Sequence, residues 1–211
     1  MSASAKPDAT HRAAVSADEL VELSWSRLFG NDYPLEVEIG VGKGTFLVRR
    51  ALACPERNFF GMEWANEYFR HTADRLARRG VLNARVARVD ASPFMRNVCP
   101  RDSISVLHVY HPDPWPKSRH RKRRLFQPPF VEAAVACLAP GGRWAVQTDH
   151  AEYFEQIRAL LLGHPQLEPV EFADPSAGVE AARLRTNFEI KYEREGRSIH
   201  QLAVRRMPLS G

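Results

Sequence analysis

Leu35-Glu-Val-Glu-Ile-Gly-Val-Gly-Lys-Gly44, followed at once by Thr45-Phe-Leu-Val-Arg-Arg-Ala-Leu-Ala53, decides the fold. Leu35–Ile39 has the apolar spacing of a buried strand, and Thr45–Ala53 that of a short helix. The three glycines between them permit positive φ and let backbone N–H groups come close to a ligand. Strand, glycine turn and helix together make the first half of a crossover unit, and the same alternation continues outward. Strands are predicted at Asn58–Glu63, Ala84–Arg88, Ser103–Tyr110 and Arg143–Thr148, with helices at Glu67–Arg79, Pro129–Leu138 and Ala151–Leu162. Such alternation implies an α/β protein with a parallel sheet covered by helices on both faces. The last third changes character. Pro165–Phe172 and Ile199–Val204 read as two strands without a long helix between them, which implies an antiparallel hairpin at the sheet edge. The expected architecture is a Rossmann-like, mostly parallel sheet of seven strands with one reversed.

Before Leu35, residues 1–15 lack apolar periodicity and read as a mobile tail, leaving 16–211 as a single domain. Ser16-Ala-Asp-Glu19 has the form of a capping box, and Leu20, Leu23, Trp25 and Leu28 supply an apolar face to a short helix behind it. The 211 residues, 44% of them hydrophobic, suffice for one well-buried core. Cys54, Cys99 and Cys137 are odd in number and widely spaced, without metal-ligand spacing. They argue against a disulfide framework or a zinc site and fit a reducing cytoplasm. No stretch approaches the roughly 20 apolar residues of a membrane span, and the first residues lack the apolar core of a signal peptide.

The net charge of +5 is concentrated in one place. Lys117, Arg119, Arg121, Lys122, Arg123 and Arg124 put six cations into eight residues, which favours a docked polyanion. This strip follows His111-Pro-Asp-Pro-Trp-Pro116, where three prolines exclude both helix and ladder. Asp113 and Trp115 are thereby held on a stiff loop at the carboxyl end of a strand, the edge where open α/β sheets bind ligands. Trp115 is placed either to stack on an unpaired base or to pack in the core, and the sequence leaves both readings open. Glu38, Glu63 and Asp90 stand at three other strand ends on the same edge. Glu63, nineteen residues after Gly44, suits ribose hydroxyls, and Asp90 suits an adenine amino group. A dinucleotide fingerprint would need glycine at Thr45, and a phosphate-binding loop would need Lys-Ser or Lys-Thr after Gly44; neither is present. An acid before the glycines suits a cationic ligand better than a pyrophosphate.

The spacing Glu38-x-Gly40-x-Gly42-x-Gly44 is that of class I S-adenosyl-L-methionine-dependent methyltransferases. Asp113-Pro-Trp-Pro-Lys117 with the basic run after it resembles the bacterial tRNA (guanine-N7)-methyltransferases. Gly61-Met-Glu63, Asp90-Ala91, Pro140-Gly-Gly142, Thr148-Asp149 and Thr186-Asn-Phe-Glu189 extend that likeness over residues 35–204. It implies a class I methyltransferase fold and methyl transfer from S-adenosyl-L-methionine to N7 of the variable-loop guanine, position 46, of tRNA. It further implies that Glu38, Gly40, Gly42, Gly44, Glu63, Asp90 and Asp113 contact the cofactor, with Asp113 as the active-site acid. Lys117, Asp149, Thr186, Asn187, Phe188 and Glu189 are implied to contact the RNA, and Arg121, Arg123 and Arg124 are expected to join them from the strip. His111 departs from the apolar residue expected there, and its role is left unassigned. Tail and domain together are expected to work as a cytoplasmic monomer without metal. The alternatives are a class I methyltransferase acting on another RNA or a protein, and a catalytically silent RNA-binding module; the intact glycine loop disfavours the second.

Overall fold

The computed structural model describes residues 13–173 and 195–208. Its strands are β1 (Ala14–Val15), β2 (Leu35–Ile39), β3 (Asn58–Glu63), β4 (Ala84–Arg88), β5 (Ile104–Tyr110), β6 (Leu138–Thr148), β7 (Leu167–Val170) and β8 (His200–Arg206). Its helices are α1 (Trp25–Phe29), α2 (Thr45–Ala53), α3 (Asn66–Arg78), α4 (Ala91–Asn97), α5 (Pro128–Cys137) and α6 (Ala151–Leu162). The strands form one sheet in the order β1-β4-β3-β2-β5-β6-β8-β7. β2 pairs in parallel with β3 and β5, and β8 runs antiparallel to both β6 and β7. This is the expected mostly parallel architecture with one reversed strand.

The sheet has eight strands rather than the expected seven. The addition is β1, which pairs Ala14 with Val86 and Val15 with Ala87 at the β4 edge. Ala13 and Val15 are both buried, so this part of the expected tail joins the fold by covering small apolar side chains. Residues 1–12 lie outside the described residues. The capping box is present: the backbone N–H of Ser16 donates to Glu19 Oε2 at 2.8 Å. The helix behind it is divided into a 3-10 turn, Asp18–Leu20, and α1, because Ser24 caps a new start by accepting the Arg27 N–H.

Alternation along the central strands separates two cores. Val37, Ile39, Phe60, Leu107, Val109 and Trp144 face α4, α5 and α6. Phe59, Leu47, Val48, Leu76 and Val86 form the layer under α2 and α3. β6 begins five residues earlier than expected because Gly141 and Gly142 let the chain bend without leaving the ladder. A Cβ on Gly142 would lie 2.7 Å from the carbonyl oxygens of Ala139 and Ile104, so only glycine fits. The parallel strands all present their carboxyl ends at one edge, where the four acids expected at the site are found.

Candidate active site

The glycine loop is built against β3. The N–H groups of Gly40 and Val41 donate to Met62 O at 2.8 and 3.2 Å. Gly44 has φ +66°, and a Cβ there would stand 2.6 Å from the Thr72 side chain. That close approach lets α3 support the loop, with Thr72 Oγ1 donating to Gly42 O at 2.9 Å. Glu63 pins the same loop from the β3 side: its carboxylate accepts the N–H groups of Gly42 and Ala65, both at 2.9 Å. An ionised carboxylate has about four acceptor sites, so two bonds do not exhaust it. Asp90 is exposed and caps α4 by accepting the Ser92 N–H at 3.0 Å.

Glu38 differs from these acids. It is 5% exposed, and its Oε2 is buried without a hydrogen-bond partner. Burial raises its pKa well above the ordinary carboxylate value; the Leu47 N–H opposes this, and the charge of Glu63 adds to it. A buried acceptor with nothing to accept, beside a loop of close backbone, fits the cationic end of an amino-acid-bearing cofactor.

The second wall is the loop after β5. His111 and Trp115 have φ +52° and +41°, a left-handed backbone seldom adopted by such residues, and they turn the chain sharply on either side of Asp113. Asp113 is exposed on this loop. Trp115 is half-buried rather than a core residue: the Arg123 guanidinium lies 5.2 Å over its ring and His120 meets it edge-on. Residues Ser118–Arg123 of the basic strip form a 3-10 helix instead of a loop.

The family model described as "Putative methyltransferase" matches residues 32–202. A tRNA (guanine-N(7)-)-methyltransferase of Nitrosococcus oceani is 35% identical over 184 residues, a match spanning 87% of this chain and 76% of that one. One of the same description from Bordetella parapertussis is 38% identical over 184 residues, with 87% and 72% covered. This chain belongs to the tRNA (guanine-N7)-methyltransferase family. In shape it is similar to the 16S rRNA methyltransferase KamB, with a TM-score of 0.64 at 16% identity over 92% of this chain and 94% of that one. The fold is thus the Rossmann-like class I methyltransferase fold.

One expectation for this family member is corrected. Arg124 was expected among the RNA-contacting cations, yet its side chain is only 1% exposed. Its Nε donates to Pro114 O at 2.7 Å, its terminal nitrogens to both oxygens of Glu152 and to Gln156, and its guanidinium covers Tyr153. With its donors turned inward, Arg124 ties the Asp113 loop to α6 and offers nothing to a phosphate. Arg121 remains half-exposed but pairs with Glu152 at 3.4 Å. Lys117, Arg119 and Lys122 are exposed. Thr186, Asn187, Phe188 and Glu189 lie outside the described residues.

Several residues were not foreseen as partners of this family's site. The buried His111 ring stands 3.7 Å from Asp149 Oδ1, and the His111 backbone N–H extends the ladder to Gln147 O at 2.7 Å. Burial lowers the His111 pKa against the opposing pull of Asp149. Asp149 also accepts from Arg197 Nη1 at 2.7 Å, which joins the end of β6 to the approach to β8. Trp64, 66% exposed directly after Glu63, carries Arg88 over its ring. An aromatic immediately following a strand-end acid was a signal the sequence offered for it. Beneath Glu38, on the same face of β2, Glu36 receives Arg50 at 2.9 and 3.0 Å, Arg57 at 3.2 Å and His108 at 2.9 Å. Tyr110 completes the chain through His108 Nδ1 at 2.8 Å. Among the described residues no group of three or more His, Cys, Asp or Glu could hold a metal, and no helix is long and apolar enough to cross a membrane.

Proposed function

We propose that this protein methylates N7 of the variable-loop guanine, position 46, of tRNA, with S-adenosyl-L-methionine as the donor. The observation that carries the reading is the buried, unpartnered Glu38 Oε2 beside a glycine loop pinned by Glu63. When bound, the cofactor supplies an electrophilic methyl group on a sulfonium centre. Glu38 is suited to accept its ammonium group, Glu63 the ribose hydroxyls and Asp90 the adenine amino group. Guanine N7 has an in-plane lone pair and no proton, so the reaction needs no general base. What the chain must supply is position and electrostatic balance. Asp113, held between two left-handed residues, holds the base and offsets the positive charge that grows on the purine. Lys117 of the strip, Asp149 after β6, and Thr186 through Glu189 are assigned to the RNA substrate by family likeness. On this reading the chain works as a single-domain monomer in the cytoplasm.

Incubation with labelled S-adenosyl-L-methionine and unmodified tRNA tests the proposal, with the product mapped by depurination-linked strand scission. Cleavage at the variable-loop guanine is expected. Label on another RNA position, on protein or nowhere would overturn it.

A further inference from the structure

The strip after Asp113 is thinner than its sequence implies, since the Arg124 guanidinium is buried and turned toward Pro114, Glu152 and Gln156. A tRNA substrate needs phosphate contacts elsewhere, and a second concentration of charge stands on α2 and α3. Arg75 of α3 donates to the glycine-loop carbonyl of Lys43 at 3.0 Å and to Thr45 Oγ1 at 2.7 Å. Burial lowers its pKa, and so do the neighbouring charges of Arg79, Arg49 and Arg78. Arg49, Arg78, Arg79 and Lys43 are all exposed. Asp74 pairs with Arg78 at 2.7 Å, while Arg49 and Arg79 make no ion pair among the described residues. Arg75 bonds Thr45, one turn of α2 before Arg49, and Arg78 and Arg79 follow Arg75 by one turn of α3, so like charges gather where the two helices meet and an anion laid across them offsets their repulsion.

The place matters as much as the charge. α3 leaves the cofactor edge after β3 and runs back toward the start of β4, so Arg78 and Arg79 stand at its far end, whereas the Asp113 loop and its strip follow β5 and lie beside α6. Cations set apart in this way suit a polyanion long enough to reach from one group to the other, not a single nucleotide.

We propose that Arg49, Arg78 and Arg79, with Lys43, form a second phosphate-docking surface that holds a part of the tRNA remote from the methylated guanine. This rests on the function proposed above. Arg75 is excluded from the docking set because its donors serve the glycine loop.

The test uses the full chain. In R49Q/R78Q/R79Q the plot of log tRNA affinity against log salt should become shallower by about 2, at roughly 0.7–0.9 per lost phosphate contact. Calorimetric affinity for S-adenosyl-L-methionine and the single-turnover rate at saturating tRNA should be unchanged, and R49K/R78K/R79K should restore the slope. A folded glutamine variant with the wild-type slope would overturn the inference. An independent arm needs no mutation: in the wild-type protein, tRNA should protect Arg49, Arg78 and Arg79 from a dicarbonyl reagent, as mapped by mass spectrometry. Equal modification with and without tRNA would overturn it too. Wild-type methylation of tRNA without protection sinks this inference alone, whereas absence of methylation sinks the function on which it rests.

Discussion

Glu38 sets a pH dependence through one unanswered oxygen. Its pKa in the folded protein is raised by burial, so the folded chain holds this proton more tightly than the unfolded chain does. The resulting stability is present at low pH and is lost as pH rises through the raised value. A cation placed at Oε2 reverses the preference and drives the proton off. Binding of S-adenosyl-L-methionine should therefore release a proton wherever Glu38 is protonated beforehand, measurable by calorimetry in buffers of different ionisation heat. Its thermal stabilisation of the protein should grow as pH rises toward the raised Glu38 value. Glu38→Gln should abolish the proton release and weaken the cofactor about tenfold or more, for loss of a charge-assisted bond of ~1.5–3 kcal/mol. Release that persists in the variant would trace the proton to another group. Asp113 calls for a different measurement. Asp113→Asn keeps the shape and removes the charge, so single-turnover methyl transfer should slow by roughly a hundredfold with cofactor affinity little altered. A wild-type rate would show that the charge is dispensable.

Between elements, Glu36 binds β2 to α2 and β5. Burial pushes its pKa up, but the hydrogen bond and charge of His108, and then those of Arg50, bring it down to about 2. The stability from this depressed acid is fully present above the ordinary carboxylate range and is lost as pH falls from about 4.5 to about 2. Glu36→Gln should leave buried cations without their counter-charge and destabilise the fold by about 3–5 kcal/mol, a loss that urea unfolding would register. A variant as stable as wild type would remove the network from the account of what holds these elements together. The contrast between Glu36 and Glu38 also marks where the sequence stops being readable. Both sit on one face of a strand that alternation and the glycines after it identify. Which acid is paired depends on Arg50, Arg57 and His108, whose arrival at Glu36 is a result of the fold. Arg124 teaches the same lesson. In the sequence it is the last of six similar cations, and only the docking of α6, with Glu152 and Gln156, turns it inward. The cofactor edge was legible because its acids follow strand ends, and strand ends follow from local pattern. β1 was missed because two small apolar residues make no pattern.

At the scale of the whole molecule, charge is unevenly placed, and salt should reveal it. With Arg124 buried, the exposed cations left in the Asp113 strip for phosphate are chiefly Lys117, Arg119 and Lys122. Replacing these three by alanine should flatten the salt dependence of tRNA binding by about 2 in the log–log slope, as filter binding would measure. Replacing Arg124 alone should leave the slope unchanged and lower the melting temperature instead, because it ties the loop to α6. A flatter slope on loss of Arg124 would return it to the RNA-facing set.

The position of β8 has a consequence for how the chain is made. It lies between β6 and β7, although both precede it in sequence. Until residues 200–206 leave the ribosome, β6 has an open hydrogen-bonding flank and β7 has no neighbour to join. The inner seam of the sheet is then completed by the last strand described. Nascent chains halted before His200 should carry an unpaired edge on β6 and be prone to aggregate or to proteolysis.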